Sequence, residues 1–209
     1  MTRADATADW TPLPVTFIAE LMGDSPCRWW LSGGVGLDRF LGYVTRAHGD
    51  VDISVQRSHW PELRRRIEPV LEVFVALGGR LSPLSGQVTG PDVDNLWARF
   101  PGAPTWSLQL NLEDVDGDEW IYRRHRLVRR PVDEVVWMAR GVPTVRPAVQ
   151  LLWKAKDPQP KDEHDLGLVL PRLPQAELDW LAGAIGSAHP SSPWLARPEF
   201  VRARGSETP

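Results

Sequence analysis

The sequence predicts an α/β (α+β) fold in which a mixed β-sheet with flanking helices precedes a small C-terminal helical region. Segments near residues 51 and 108 alternate apolar and polar side chains, with the period of two that is typical of half-buried strands. Segments between the predicted strands place apolar residues three and four positions apart, as amphipathic helices do. After Pro143 the strand pattern ends and helix-forming sequence predominates.

The elements of the first part are delimited by Gly, Pro and Ser residues that favour turns and helix ends. The predicted helices are Val15–Met22, Val35–Leu41 and 60–68. The predicted strands are 29–31, 50–55, 70–77 and Ser107–Glu113, with a further strand from Trp120. Residues 78–102 are rich in Gly, Pro and Ser, so we predict that they are mostly loop.

Three further helices are predicted in the second part, at residues 147–156, 161–170 and 175–185. We therefore predict an α/β domain at 1–140, a C-terminal helical region at 141–201 and a disordered tail at 202–209.

Composition excludes several classes of protein. The chain of 209 residues has one cysteine, Cys27, which excludes an intramolecular disulfide and a zinc site built on cysteines. No apolar run approaches the roughly 20 residues that span a bilayer, and the N-terminus lacks the apolar stretch of a signal peptide. The net charge of -3 weighs against a nucleic-acid partner. We expect a cytoplasmic protein, a monomer or a homodimer, without a membrane partner.

The stretch from Trp29 to Val55 carries the chemistry. A predicted strand ends at Gly33 and Gly34, where the backbone can approach a ligand closely and its N–H groups can face an anion. The helix that follows adds the positive end of its dipole. The next predicted strand places Asp50 and Asp52 two residues apart and therefore on one face.

Two neighbouring carboxylates repel each other unless they are protonated or bridged by a cation. Mg²⁺ suits such a pair, because it prefers oxygen ligands and a few carboxylates together with phosphates. A phosphate cradle beside a metal-binding pair of carboxylates is typical of phosphoryl- or nucleotidyl-transfer sites. Asp50 and Asp52 are therefore the candidate catalytic and metal-binding residues.

The same segment resembles the signature of the nucleotidyltransferase fold, which is Gly-Gly or Gly-Ser, a short helix and then Asp-x-Asp on the next strand. Its Thr45-Arg46-x-His48 stretch is similar to the branch of aminoglycoside 2''-nucleotidyltransferases and lincosamide nucleotidyltransferases. A second resemblance to this branch lies in the Leu151-Leu152-x-Lys154 segment and in the Lys161-Asp162-x-x-Asp165 segment.

The resemblance implies an adenylyltransferase-like enzyme that moves a nucleotide from an NTP, ATP above all, to a hydroxyl of a small molecule. Aminoglycoside-like or lincosamide-like antibiotics are the acceptors that it suggests, with a role in antibiotic resistance. Mg²⁺ is the implied metal cofactor. The implied nucleotide-binding residues are Ser32, Gly33, Gly34, Arg46 and Lys154.

A third carboxylate on a neighbouring strand usually completes such a site, where it binds metal or deprotonates the acceptor. The polar face of the predicted strand Ser107–Glu113 offers Gln109, Asn111 and Glu113. Amides therefore occupy the two positions where an acid is first expected, and Glu113 is the candidate third catalytic acid. Glu113 could instead belong to a solvated acidic hairpin end.

Other residues also have simpler explanations. Asp50 and Asp52 could be the exposed face of a strand, Arg46 a surface charge and His48 a residue that stabilises a turn. Lys154 could be a solvated lysine with a packed stem. The amides at 109 and 111 also favour a second function, that of a catalytically weak nucleotide-binding or sensor protein of the same fold.

Overall fold

The computed structural model describes residues 9–84 and 90–205. These residues form seven α-helices and ten β-strands, and they divide into two compact units. The first unit comprises residues 9–35 and Arg46–Val115, and the second comprises Gly36–Thr45 and residues 116–205. The predicted division at residues 140 and 141 stays a prediction, because compactness alone does not show which segment folds independently.

The first unit is built on a mixed sheet with the strand order β4-β3-β5-β6-β2-β1. Its strands are β1 Trp29–Ser32, β2 Asp52–Gln56, β3 Glu72–Leu77, β4 Arg80–Pro83, β5 Asn95–Arg99 and β6 Leu108–Asp116. β2 pairs with β6 in parallel, and the other neighbouring strands pair antiparallel. The predicted mixed sheet is confirmed.

Two helices of this unit, α1 (Val15–Met22) and α3 (Trp60–Ile67), pack against each other. Ile18 and Met22 are buried on α1, four residues apart, as a helix that buries a single face requires. Trp60 is fully buried on α3. The bounds predicted for α1 are those observed, and α3 ends one residue before its predicted end.

The second unit combines helices with short hairpins. The helices are α4 Pro147–Lys154, α5 Pro160–Val169, α6 Gln175–Ala188 and α7 Pro198–Gly205, and the antiparallel strand pairs are β7 Glu119–Ile121 with β8 Arg129–Pro131 and β9 Val136–Ala139 with β10 Val142–Val145. The helices α4, α5 and α6 correspond to the three helices predicted in this part of the chain. Residues 202–205 of the predicted tail are helical, and residues 206–209 lie outside the described part.

The prediction that residues 78–102 are mostly loop misses two strands, β4 and β5, and residues 85–89 of this segment lie outside the described part. β5 is only five residues long and lies between β3 and β6. Leu96 and Ala98 are fully buried on one face of β5. Pairing on both edges therefore stabilises a strand whose own sequence gives a weak signal.

No helix within residues 9–84 and 90–205 is both long enough and apolar enough to cross a bilayer. The cytoplasmic location stays a prediction.

Candidate active site

The two glycines of the signature form the start of a helix. β1 ends at Ser32, and α2 (Gly33–Leu41) begins at the next residue, two residues earlier than predicted. Gly33 has a φ of 68°, in the left-handed region that favours glycine. The first N–H groups of a helix have no partner inside it and carry the positive end of its dipole. This point therefore favours a bound anion.

Gly33 lies directly against the carboxylate of Asp52. β1 and β2 pair so that Ser32 is opposite Asp52, which brings the start of α2 beside the first residue of β2. A Cβ atom placed on Gly33 would lie 2.9 Å from Cγ of Asp52. The close approach of backbone to carboxylate therefore requires glycine at position 33.

Gly34 has an equally close approach to two other side chains. A Cβ atom at this position would lie 2.5 Å from Nη2 of Arg46 and 2.6 Å from Nδ1 of His48. The guanidinium of Arg46 and the imidazole of His48 therefore lie against the first turn of α2. A positive side chain and the positive end of the helix dipole meet at one place, next to Asp52.

Asp50 and Asp52 differ in their structural setting. β2 begins at Asp52, so Asp50 precedes the strand, although the sequence predicts both on it. The intervening Val51 is buried, and its carbonyl accepts a hydrogen bond of 2.9 Å from the Gln109 N–H. That bond continues the pairing with β6 and holds the backbone between the two acids. Both acids are half-buried.

Asn111 faces Asp52 from the neighbouring strand β6. Its Nδ2 approaches Oδ1 of Asp52 at 3.5 Å, a long contact. Its Oδ1 accepts a 2.9 Å hydrogen bond from Nδ2 of Asn95, and Oδ1 of Asn95 accepts a 2.7 Å bond from Nε1 of Trp97. This chain of hydrogen bonds directs the NH₂ group of Asn111 toward the acid. An amide therefore stands beside Asp52, at a position where a carboxylate is first expected.

Glu113 is buried on β6, opposite the end of β2 that lies farther along the chain from Asp52. It is 2% exposed and pairs in register with Gln56 rather than with Asp52. Oγ of Ser54 donates to Oε1 of Glu113 at 3.1 Å and lies 3.3 Å from Oγ of Ser32. Glu113 is thus linked through Ser54 to Ser32 at the end of β1. Its predicted catalytic role stays a prediction, and its burial favours a positioning role.

The fit of these residues to Mg²⁺ follows from the chemistry of the donors. Among the described residues, no three His, Cys, Asp or Glu side chains form a group that could hold a metal. Mg²⁺ commonly uses only one or two protein carboxylates and takes its other ligands from phosphates and water. Asp50 and Asp52 therefore fit this metal only together with a bound phosphate.

Lys154 lies in the second unit, in a compact ion-pair cluster. Its Nζ is 2.5 Å from Oδ1 of Asp162 and 3.1 Å from Oδ2 of Asp165, and the three side chains are 11%, 9% and 3% exposed. The structure thus brings together Lys154, Asp162 and Asp165 of the second motif. Nucleotide binding by Lys154 stays a prediction, since two carboxylates already balance its charge.

Sequence reasoning missed three contributors to the first unit's cluster. Asn95 and Trp97 lie on β5, which the sequence analysis took for a loop, and they orient Asn111. Ser54 lies on β2, in phase with Asp52, and this phase is the signal that could have identified it.

Part of the chain matches a known protein family. Residues 15–74 match the family described as Aminoglycoside-2''-adenylyltransferase. The match includes the cluster from Ser32 to Asp52 but neither Glu113 nor Lys154. No curated protein gives a significant match.

Several solved structures share the fold at low sequence identity. The lincosamide antibiotic adenylyltransferase LnuA, bound to lincomycin, has a TM-score of 0.54 and 16% identity over 78% of this chain and 98% of its own. The antibiotic-resistance factor ANT(2'')-Ia in solution has a TM-score of 0.57 and 16% identity over 85% and 91%. Its crystal structure with adenylyl-2''-tobramycin has a TM-score of 0.54 and 14% identity over 81% and 94%.

The family match supports the prediction of a nucleotidyltransferase enzyme. The chain has the nucleotidyltransferase fold and resembles the branch of aminoglycoside 2''-nucleotidyltransferases and lincosamide nucleotidyltransferases, as its sequence predicts.

Proposed function

We propose that this protein transfers a nucleotide, AMP above all, from an NTP to a hydroxyl group of a small antibiotic-like molecule. One observation carries the proposal. The backbone of Gly33, at the start of α2, lies against the carboxylate of Asp52, while Arg46 and His48 lie against Gly34. Phosphate-binding groups and a candidate metal-binding acid are therefore adjacent.

Each residue has a proposed task in the reaction. The N–H groups at the start of α2 bind phosphate oxygens of the NTP, and Arg46 adds a positive charge beside them. Asp50 and Asp52 would hold Mg²⁺, which when bound would neutralise charge that develops on the phosphate oxygens. Asn111 orients the carboxylate of Asp52 through its NH₂ group. The acceptor oxygen attacks the α-phosphorus in line, the bond between that phosphorus and the oxygen bridging to the β-phosphate breaks, pyrophosphate leaves, and the hydroxyl proton passes to solvent.

Glu113 is proposed to position the site. Through Ser54 it holds Ser32, the last residue before Gly33. Movement of Glu113 would therefore be transmitted to the start of α2. The alternative role for Glu113, removal of the proton from the acceptor hydroxyl, requires direct access to the acceptor, and 2% exposure disfavours it.

The proposed acceptor rests on the comparisons. LnuA was solved with lincomycin and ANT(2'')-Ia with an adenylylated tobramycin. Lincosamides and aminoglycosides are therefore the first acceptors to test, and other hydroxyl-bearing metabolites follow.

A second candidate function is supported by Asn111. Because an amide faces Asp52 where a catalytic acid is expected, a second candidate is a nucleotide sensor that binds an NTP and transfers its nucleotidyl group only slowly. Mg²⁺-dependent nucleotide binding without pyrophosphate release would identify this function.

The test is pyrophosphate release from each of the four NTPs with Mg²⁺, across a panel of aminoglycosides, lincosamides and simple sugars. We expect acceptor-dependent release with ATP that Asp52→Asn abolishes. Release that is unaffected by Asp52→Asn would refute the assignment of the site.

A further inference from the structure

Two arginines of the second unit form a pair of like charges at the end of α2. Nη2 of Arg39 donates to the carbonyl of Ala139 at 3.3 Å, and Nη2 of Arg140 donates to the carbonyl of Gly42 at 2.9 Å. Among the described residues, neither arginine has a carboxylate partner. Neither guanidinium therefore forms an ion pair within the described part of the chain.

The surroundings of Arg39 make its charge unfavourable. Nε of Arg39 is buried and has no hydrogen-bond acceptor among the described residues. Burial and, to a smaller extent, the nearby charge of Arg140 lower the pKa of Arg39 below its ordinary value. Arg39 as a whole is half-buried and Arg140 is exposed, so the buried group that lacks a partner is the Nε of Arg39. Buried polar groups in native proteins are normally hydrogen-bonded. A bound anion would supply this missing partner.

Arg140 also occupies a strained backbone position. It forms, with Gly141, the two-residue turn between β9 and β10, in which Ala139 pairs with Val142. The φ angles of 51° and 78° at Arg140 and Gly141 indicate a type I′ turn, for which Asn-Gly is the preferred sequence. Arg140 is the single non-glycine residue with positive φ in the described part of the chain. Strain of this kind concentrates at functional sites.

Local stabilisation explains only part of this arrangement. A cation in the last turn of a helix favours the negative end of the dipole, which accounts for Arg39 on its own. The hydrogen bond from Arg140 satisfies a carbonyl just beyond α2. Neither effect requires two guanidinium groups close together, nor an arginine where asparagine fits the turn better.

We infer that Arg39 and Arg140 bind a phosphate group of a small molecule. Guanidinium groups match the geometry of phosphate oxygens, and a phosphate dianion balances both positive charges, whereas a single carboxylate balances one. The two arginines outweigh the half-unit negative charge at this end of α2. The inference is independent of the proposed nucleotidyl transfer, because none of its residues belongs to that site.

The test is calorimetric titration of the full chain with inorganic phosphate, comparing the wild type with Arg140→Asn. Asparagine suits the type I′ turn, so we expect equal or higher thermal stability together with at least tenfold weaker phosphate binding. Arg39→Gln should weaken binding similarly, and it decides the question if Arg140→Asn fails to fold. Arg202→Gln is the control, since Arg202 is exposed and donates to the Pro198 carbonyl on α7.

Because the proposed nucleotide site at the start of α2 would also bind phosphate, the same titrations are repeated with Arg46→Gln present in every protein. Phosphate binding at unchanged strength in both Arg140→Asn and Arg39→Gln on that background, or no phosphate binding at all, would overturn the inference. Parallel titrations with a sugar phosphomonoester and with succinate identify the source of the anion. Tighter binding of the phosphomonoester indicates a phosphorylated small molecule, and equal binding indicates free phosphate. Tighter binding of succinate than of either phosphate compound would refute the assignment to phosphate.

Discussion

Replacement of Gly33 by alanine tests the close approach between backbone and carboxylate. An L-residue in the left-handed region costs about 1–2 kcal/mol of stability. The added Cβ would lie 2.9 Å from Cγ of Asp52, and ordinary contacts begin at 3.4 Å, so the carboxylate must move. Such overpacking costs roughly a further 1–3 kcal/mol.

Displacement of Asp52 should affect activity more than stability. A catalytic group misplaced by about 1 Å costs on the order of 100-fold in rate. We therefore expect kcat/KM to fall by about 100-fold in Gly33→Ala, while urea unfolding shows that the protein remains folded.

Gly79→Ala is the matched control. Gly79 has a φ of 71°, close to the 68° of Gly33, but a Cβ there would meet nothing within 4 Å. This variant should lose about 1–2 kcal/mol from backbone strain and keep full activity. If Gly33→Ala is as active as Gly79→Ala, the proposed contact with Asp52 has no catalytic importance.

Three further predictions concern other buried groups. Glu113→Gln should lower kcat by at least tenfold and retain nucleotide binding, with a pH–rate profile of unchanged shape; loss of the acidic limb would instead make Glu113 the base. Lys154→Met should lower the free energy of unfolding by about 3 kcal/mol, because it removes the cation that contacts the two buried carboxylates of Asp162 and Asp165. A free energy of unfolding in urea equal to that of the wild type would contradict this. Burial, followed by nearby positive charges, lowers the pKa of His189 below its unfolded value of about 6.5. The unfolded state therefore binds the proton more readily, so stability is lost as the pH falls below about 6.5. His189→Gln should flatten that fall in unfolding experiments between pH 7 and pH 5.

The glycine turn and Asp52 of the candidate site were predictable because the sequence signals for them are local. A strand, two glycines, a short helix and a second strand beginning with an acid follow one another within about 25 residues. Antiparallel pairing of β1 with β2 then places Ser32 opposite Asp52. The fold class was predictable for the same reason, since period-two and helical patterns are read from neighbouring residues.

The residues that β5 and β6 contribute to the site depend on contacts between segments that are distant in sequence. The weak pattern of β5 concealed Asn95, so the hydrogen bonds that orient Asn111 could not be foreseen. The register between β2 and β6, which no local pattern specifies, sets Glu113 opposite Gln56. That register explains why the predicted third acid lies away from Asp52.

The ion-pair cluster of Lys154 was predictable only in part. Asp162 and Asp165 are three residues apart on α5, so the sequence places both on one helix face. The packing of α4 against α5 then brings Lys154 to them, and only the structure supplies this contact.

The most direct test of nucleotidyl transfer is mass spectrometry of tobramycin and lincomycin after incubation with ATP, Mg²⁺ and the protein. We predict that one of them gains the mass of a single adenylyl group, and that neither does so with Asp52→Asn. Equal modification by the wild type and Asp52→Asn would contradict the assignment of the site. Failure of the wild type to modify any acceptor or to bind any NTP would contradict the proposed function itself.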